Sequence, residues 1–232
     1  EMCIRDRSYV DYEKIYLSRY KLLRKAYEKA DLKTDPDYAE FLKEEKDWLQ
    51  DYCLFMAIKN DQKGICWIDW PEELKDRHSK AVKEAEKELA EEIEFYRFQQ
   101  YCFTTQWRKL KAYANKKDIS IIGDVPIYVA LDSSDAWANP EMLQFDEDYD
   151  PKAVAGCPPD AFSATGQLWG NPLYDWKALK KDGYGWWVQR MTHCLELYDV
   201  VRIDHFRGFD EYYAIPYGDK TAERGKWEKG PG

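Results

Sequence analysis

The sequence predicts an α/β fold in which a helical first half precedes an alternation of strands and helices. Residues 9 to about 117 carry apolar side chains at helical spacing throughout. Two short apolar, β-branched runs follow, at residues 119–130 and 198–206, and a helical pattern lies between them. A strand, a helix and a second strand form a βαβ unit, so we expect the two strands to run parallel in one sheet.

The helical half is divided by its capping residues and its breaks. On its first helix, one face consists of Tyr16, Tyr20, Leu23 and Tyr27, which recur at helical spacing. Asp35 and Pro36 suit the N-cap and the first position of the next helix, whose pattern ends at Gly64. Residues 80–117 predict one long helix or two. No motif of known chemistry occurs in this half, so we interpret it as a scaffold.

The second half begins with the run ISIIGDVPIYVA, which predicts a buried strand that ends near Gly123 and Asp124. Residues 130–175 are rich in Pro, Gly, Asp, Ser and Trp, and predict a long irregular segment of functional character. Its aromatic residues argue against disorder. Asp175 suits the N-cap of a helix that continues to about residue 197, and YDVVRIDHF predicts the second strand.

The bulk composition excludes several classes of protein. The 232 residues carry a net charge of −9, the isoelectric point is near 5.0 and the mean hydropathy is −0.77. Such a chain repels phosphate backbones, so we expect no nucleic-acid partner. No apolar run approaches the roughly 20 residues that cross a bilayer, so we expect no membrane span. EMCIRDRSYV lacks the apolar region of a secretory signal and does not resemble a natural start. We therefore expect a cytoplasmic, truncated chain.

Motifs for metals and cofactors are absent from the sequence. The 6 cysteines form no CxxC pair, the 3 histidines form no HExxH pair, and there is no Walker loop or GxGxxG. We expect no metal, no cofactor, and reduced, mostly buried cysteines. Aromatic residues make up 16% of the chain. Most of them suit a core, and a surplus would suit stacking against the apolar faces of sugar rings.

Charged side chains crowd the end of the second strand. Side chains alternate along a strand, so Arg202 and Asp204 point to one side and Ile203 and His205 to the other. Two interpretations fit this spacing: a structural ion pair, or a carboxylate that Arg202 holds ionised for use as a nucleophile or cation stabiliser. Asp124 ends the neighbouring strand, where it either adds a second carboxylate or orients Arg202. Active groups of parallel α/β folds lie at these strand ends.

Two motifs within residues 130–175 present polar and aromatic groups on tight turns. GCPPD ends with Asp160, and WGNP contains Trp169 and Asn171. These motifs suit rigid loops that present a carboxylate, an amide and an aromatic ring to a ligand. They equally suit ordinary turns.

Three long segments closely resemble glycoside hydrolase family 77, the 4-α-glucanotransferases, also called amylomaltases or disproportionating enzymes. The segments are GDVPIYVALDSSDAWANP, AGCPPDAFSATGQLWGNPLYDW and YDVVRIDHFRGF. Less sharply, WLQDYCLFMAIK and QYCFTTQWRKLKAYA also fit. The resemblance implies part of a (β/α)8 TIM barrel of the α-amylase superfamily with an inserted helical subdomain. It divides the chain into a helical subdomain at 1–117 and a partial barrel at 118–232 with a substrate-loop insertion at 130–175.

The resemblance also implies an activity: transfer of α-1,4-glucan segments between chains, with retention, through a covalent glucosyl intermediate. The implied partners are maltooligosaccharides and α-1,4-glucan derived from starch or glycogen. Asp204 matches the catalytic nucleophile, Arg202 the arginine two residues before it, and His205 a substrate-contacting histidine. Asp124 matches the aspartate at the end of the third barrel strand. The residues that match the glucan-contacting loop are Asp160, Phe162, Trp169 and Asn171.

One required group has no counterpart in the sequence. Retaining transfer needs a second carboxyl as acid/base, and the resemblance places this glutamate in an AEDLG-like motif beyond residue 232. We therefore expect an interior fragment of the enzyme that is inactive alone. Two alternatives are a hydrolase of the same superfamily and a non-catalytic module that binds glucan through its aromatic residues.

Overall fold

The computed structural model describes residues 9–232 and confirms a mixed α/β fold with a helical first half. Short connections separate six helices there. They are α1 (Tyr12–Tyr27), α2 (Pro36–Glu44), α3 (Lys46–Asp61), α4 (Glu72–Lys75), α5 (Lys80–Glu88) and α6 (Ala90–Asn115). As predicted, the carboxylate of Asp35 accepts hydrogen bonds from the backbone N–H groups of Asp37 and Tyr38, and Pro36 opens α2.

Two breaks interrupt the predicted helices of this half. Glu45 separates α2 from α3, and its carboxylate is buried and accepts a hydrogen bond from Trp48 Nε1 at 2.7 Å. Leu89 separates α5 from α6. Of the two alternatives left open for residues 80–117, the structure therefore has two helices. Neither break contains a proline or a glycine, so neither carried a local signal.

The 26-residue helix α6 links the helical half to the strands. Near its start, Phe95 and Phe98 pack against Tyr27 of α1, each with ring centroids 5.6 Å apart. Near its end, Trp107 Nε1 donates to the carbonyl of Leu197 at 2.8 Å, and Lys111 Nζ donates to the carbonyls of Glu196 and Tyr198. One helix therefore contacts both halves of the chain.

The predicted βαβ unit is present and its strands are parallel. Strand β1 (Ile122–Pro126) pairs with the strand at Val200–Asp204, with Asp124 opposite Arg202 and Pro126 opposite Asp204. The connection between these strands ends in two consecutive helices, α8 (Trp176–Lys181) and α9 (Gly185–Leu197). Asp175 caps α8 as predicted. The pattern predicted as one helix is broken because Gly183 and Tyr184 both adopt positive φ, 71° and 61°.

The prediction of an irregular segment at residues 130–175 is wrong. It contains α7 (Ser134–Ala138), β2 (Ala153–Cys157) and β3 (Gln167–Pro172). With Val200–Asp204 as β4, the remaining strands are β5 (Glu211–Pro216) and β6 (Lys226–Lys229), and the antiparallel order is β3-β2-β5-β6. Strand β2 pairs with β5 some 60 residues later in the chain, so a local pattern could not reveal the pairing.

One contiguous core joins the two halves. Phe55 of α3, Trp70 and Trp137 of α7 pack together, with ring centroids 5.4 to 6.0 Å apart. Trp67 and Trp137 are fully buried, and their Nε1 groups donate to the carbonyls of Leu131 and Leu74. Buried indole groups with satisfied N–H donors fix the orientation of the helices against the strands.

The fold also bears on the predicted barrel, the expected absence of a membrane span and the predicted burial of the cysteines. Among residues 9–232, the parallel sheet has two strands, so the barrel and the domain division at residue 117 stay predictions. Within the same residues, no helix is both long and apolar enough to cross a membrane. Cys3 lies outside the described residues. Of the five free cysteines described, one, Cys53, is buried and the others are half-buried, so the prediction of mostly buried thiols is wrong.

We expect Gly123→Ala to destabilise the protein by roughly 1–3 kcal/mol, the usual cost of overpacking a tight site. A Cβ at position 123 would overlap the ring of Tyr198, which lies two residues before the start of β4. The matched control is Gly185→Ala, whose Cβ would meet only the mobile carboxylate of Asp182. Urea unfolding measures both variants, and equal stability of the two would contradict the close approach.

Candidate active site

A charged cluster lies on one face of the two parallel strands. Asp124, Arg202 and Asp204 all point to this face, and their side chains are 57%, 64% and 66% exposed. The intervening residues, Val125 and Ile203, point the other way and are buried or half-buried. The alternation predicted for β4 is therefore present. Asp124 lies two residues before the end of β1 rather than at its end, because the strand continues to Pro126.

Arg202 forms its stronger contacts with Asp124. Its Nε and Nη2 donate to the two carboxylate oxygens of Asp124 at 2.8 and 2.9 Å, a bidentate pair. The same Nη2 lies 3.4 Å from Oδ1 of Asp204. These hydrogen bonds, chiefly to Asp124, raise the pKa of Arg202 above its usual value. Of the two roles left open for Asp124, the geometry favours orientation of Arg202, whose guanidinium then reaches Asp204.

His205 turns the chain at the end of β4. It adopts the left-handed conformation, with φ at 54° and ψ at 42°, so the extended backbone of β4 ends at this residue. The ring packs edge-to-face against Trp169, with centroids 4.9 Å apart. Its Nε2 is buried and has no hydrogen-bond partner among the described residues. Burial lowers the pKa of His205 below its usual value, against an opposing effect of Asp204.

Tyr128 is a site residue that the sequence interpretation missed. Its hydroxyl is also buried without a described partner, and its ring lies 6.4 Å from both His205 and Trp169. A Cβ on Gly208 would lie 3.3 Å from that hydroxyl and 3.4 Å from the His205 ring. Buried polar groups usually have a hydrogen-bond partner. The neighbouring Tyr128 hydroxyl and His205 Nε2 both lack one, which indicates a position for a water or a ligand hydroxyl.

Trp169 and Asn171 both lie on β3, where they have different environments. The ring of Trp169 is 37% exposed, and its Nε1 donates to Gln167 Oε1 at 3.0 Å. Asn171 is half-buried, and its Nδ2 donates to the carbonyl of Val129 at 2.8 Å. Asn171 therefore ties β3 to the segment that follows β1, while Trp169 presents a ring surface beside His205.

Asp160 and Phe162 lie on the loop between β2 and β3. The carboxylate of Asp160 accepts hydrogen bonds from the backbone N–H groups of Phe162 and Ser163, both at 2.8 Å. This turn presents the ring of Phe162 to solvent, where it is 98% exposed. Phe162 is the most exposed of the large hydrophobic residues among those that the structure describes. No hydrogen bond or ion pair joins Asp160 or Phe162 to the charged cluster.

The site offers an oriented carboxylate, a guanidinium and aromatic surfaces. Asp204 is accessible and lies beside Arg202, which Asp124 holds in place. Such a carboxylate can attack an electrophilic carbon or stabilise a cation. Within residues 9–232, one group of three possible metal ligands comes within 4.8 Å, formed by Glu45, His193 and Glu196. It lies on other elements, because Glu45 precedes α3 and the other two belong to α9.

Comparison with known proteins gives consistent matches over nearly the whole chain. A model of the 4-alpha-glucanotransferase family matches residues 2–232. The 4-alpha-glucanotransferase of Clostridium butyricum is 49% identical over 227 residues, which cover 97% of this chain and 47% of that protein. The corresponding protein of Thermus thermophilus is 47% identical over 227 residues, 96% of this chain and 45% of that protein.

A solved structure gives the same result. The amylomaltase from Streptococcus agalactiae in complex with acarbose aligns with a TM-score of 0.90 and 40% sequence identity. The alignment covers 96% of this chain and 45% of that one. The chain thus spans a little under half the length of the relatives that it matches.

We expect an NMR titration to give His205 a pKa below 6.5, because burial disfavours the imidazolium. Since the unfolded state then binds protons more readily, stability should decline as the pH falls below about 6.5. Asp204→Asn should lower the pKa further and Arg207→Gln should raise it, because these neighbours act in opposite directions. The resonance is assigned with His205→Gln. A pKa at or above 6.5 would contradict the buried environment.

Proposed function

The chain belongs to the 4-alpha-glucanotransferase family, and from this premise we propose that it forms part of an enzyme that transfers α-1,4-glucan segments between maltooligosaccharides. The observation that carries the proposal is the Asp124–Arg202–Asp204 cluster at the carboxyl end of two parallel strands. Parallel α/β folds hold their reactive groups at this end. The substrates in this proposal are maltooligosaccharides and α-1,4-glucan derived from starch or glycogen.

Asp204 acts as the nucleophile in this proposal. A carboxylate oxygen attacks the anomeric carbon, the bond from that carbon to the glycosidic oxygen breaks, and the departing oxygen takes a proton from a general acid. The 4-hydroxyl of an acceptor glucan then attacks the same anomeric carbon, the bond from that carbon to Asp204 breaks and frees the carboxylate, and the hydroxyl proton passes to the group that acted as the acid. Two inversions give net retention. The family resemblance assigns the acid/base role to a glutamate outside this chain.

Arg202 and Asp124 position the nucleophile. The bidentate contact with Asp124 fixes the plane of the guanidinium. In this orientation Nη2 also donates to Oδ1 of Asp204 at 3.4 Å, which holds that oxygen in place. The other oxygen of Asp204 is then directed to the substrate. A lysine in place of Arg202 would keep the charge and lose the two-pronged geometry.

The aromatic and polar residues beside the cluster contact the sugar. We assign substrate contacts to His205 and Trp169, which touch one another, and to Tyr128, whose orphaned hydroxyl suits a sugar hydroxyl. Further glucan contacts are assigned to Asp160 and Phe162. The exposed ring of Phe162 supports this assignment, because a flat aromatic face suits the apolar face of a pyranose. Asn171 acts through its contact with the Val129 carbonyl.

The full fold in this proposal is a (β/α)8 barrel in which β1 and β4 are neighbouring strands. On the face that carries the charged cluster, the first residues of the two strands, Ile122 and Val200, are apolar and exposed. Further barrel strands that pack over this face would bury them, which supports the proposed barrel. Residues 1–117 form a helical subdomain and residues 130–175 a substrate-loop insertion. A cytoplasmic location stays a prediction, and the potato relative is named a chloroplastic/amyloplastic protein.

Two alternatives make different predictions about products. A hydrolase of the same superfamily would transfer the glucosyl group to water and release reducing sugar. A non-catalytic module would bind glucan through Trp169 and Phe162 without turnover. The family match favours the transferase over both.

We expect a full-length protein that carries this chain to convert maltotriose into glucose and longer oligosaccharides. Asp204→Asn should lower turnover by several orders of magnitude, since no nucleophile remains. The matched control is Asp148→Asn, an exposed carboxylate on a turn, which should leave the rate unchanged. Chromatography of the products measures both. Net release of reducing sugar would favour the hydrolase, and binding without products would favour the module.

We expect the 232-residue chain alone to give no transfer, because general acid–base help is worth about 10²–10⁴-fold and the assigned acid lies elsewhere. Maltotriose is incubated with the purified chain and with a heat-killed sample. Maltopentaose above the heat-killed level, abolished by Asp204→Asn, would show that the chain supplies its own acid/base group.

A further inference from the structure

A cavity separate from the candidate active site lies between the helical half and the βαβ unit. It has a volume of about 370 Å³, is open to solvent on one side, and is lined mainly by residues of α3, α7 and α9. Small-molecule sites usually have volumes of roughly 300–1,000 Å³, so the cavity is of a suitable size for a ligand. None of the site residues assigned above lines it. The cavity therefore raises a separate question about binding.

Aromatic rings form two of its walls. Trp48 and Tyr52 line it from α3, and Trp186 lines it from α9. The indole N–H group of each tryptophan already has a hydrogen-bond acceptor: Trp48 Nε1 donates to Glu45, and Trp186 Nε1 donates to Asp135 Oδ1 at 3.0 Å. With these N–H groups satisfied, the rings contribute apolar surface to the cavity.

Several polar side chains of the lining are available to a ligand. Asp47, Ser134 and Gln189 line the cavity, and their side chains form no hydrogen bond with the rest of residues 9–232. Together they offer a carboxylate, a hydroxyl and an amide. Carboxylates and amides accept from, and amides donate to, neutral hydroxyl groups.

The charge of the lining limits the chemistry of the ligand. Three carboxylates line the cavity, those of Asp47, Asp51 and Asp135, and Asp51 forms an ion pair with Arg77 at 2.6 Å. The one arginine there, Arg190, is committed to the carbonyls of Pro126 and Ile127, at 2.6 and 3.0 Å. An excess of negative charge repels phosphates and other anions. Aromatic surface combined with unpaired polar groups instead suits an uncharged ligand with apolar faces and many hydroxyls.

We propose that this cavity is a second glucan-binding site, which holds one or two glucose units of a maltooligosaccharide. The choice of sugar rests on the proposed function. Val129 lines the cavity, and the preceding residue, Tyr128, lies beside His205 of the candidate active site. The backbone between Pro126 and Val129 thus separates the two sites, so a glucan held in the cavity is retained close to the catalytic carboxylate.

Isothermal titration of a full-length Asp204→Asn protein with maltotriose tests the proposal. We expect two classes of binding site. Ser134→Phe should remove one class because it fills the cavity, and Gln189→Ala should weaken that class about tenfold without changing the packing, the usual effect of one lost hydrogen bond. The matched control is Thr192→Ala, an exposed residue of α9 outside the cavity, which should leave both classes intact.

The results separate this inference from the proposed function. A single class that neither Ser134→Phe nor Gln189→Ala changes would overturn the second site, while maltotriose transfer by the parent protein would still support the transferase. Loss of one class in Gln189→Ala alone is sufficient support if Ser134→Phe does not fold. A cavity class that persists in a parent protein without transfer activity would support the second site and overturn the proposed function.

Discussion

The parallel register of β1 and β4 is the constraint on which the candidate site depends. It sets Asp124 opposite Arg202 and Pro126 opposite Asp204, and a shift of one residue would turn each of these side chains to the opposite face. Two contacts hold the register. Tyr198 covers the space left by the missing side chain of Gly123, and the carboxylate of Asp199 accepts from the backbone N–H of Ile121 and from Asn115 Nδ2, both at 2.8 Å. These hydrogen bonds lower the pKa of Asp199.

Structural features that depend on residues close together in the chain could be predicted from the sequence. The cap at Asp35, the cap at Asp175 and the two parallel strands each depend on residues within one or two turns of chain. The side-chain alternation of β4 could be predicted for the same reason, and it brought Arg202 and Asp204 to one face. That part of the site lies on one strand, so its geometry follows from spacing.

Features that depend on distant partners could not be predicted. The sheet β3-β2-β5-β6 joins strands from two separate stretches of chain, and the segments of β2 and β3 have few β-branched residues of their own. Spacing placed Asp204 beside Arg202 and left two roles open for Asp124. The pairing of β1 with β4 decides between them, because it makes Asp124, 78 residues away, the bidentate partner of Arg202. Tyr128 was missed because its significance lies in an unpaired hydroxyl, which only the packing around Gly208 reveals.

The length of helix α6 and its contacts at both ends limit how the two halves of the chain can move. It runs without interruption from its contacts with Tyr27 to its contacts with Leu197 and Tyr198, so no flexible linker separates the helices from the strands at this point. Hinge motions need a few residues that absorb a change in backbone angles, and an unbroken helix with packed ends offers none. The contacts of α6 with α1 and with the chain that leads into β4 therefore oppose a displacement of the helical half against the βαβ unit, and the space between α3 and α9 lies within this packed arrangement.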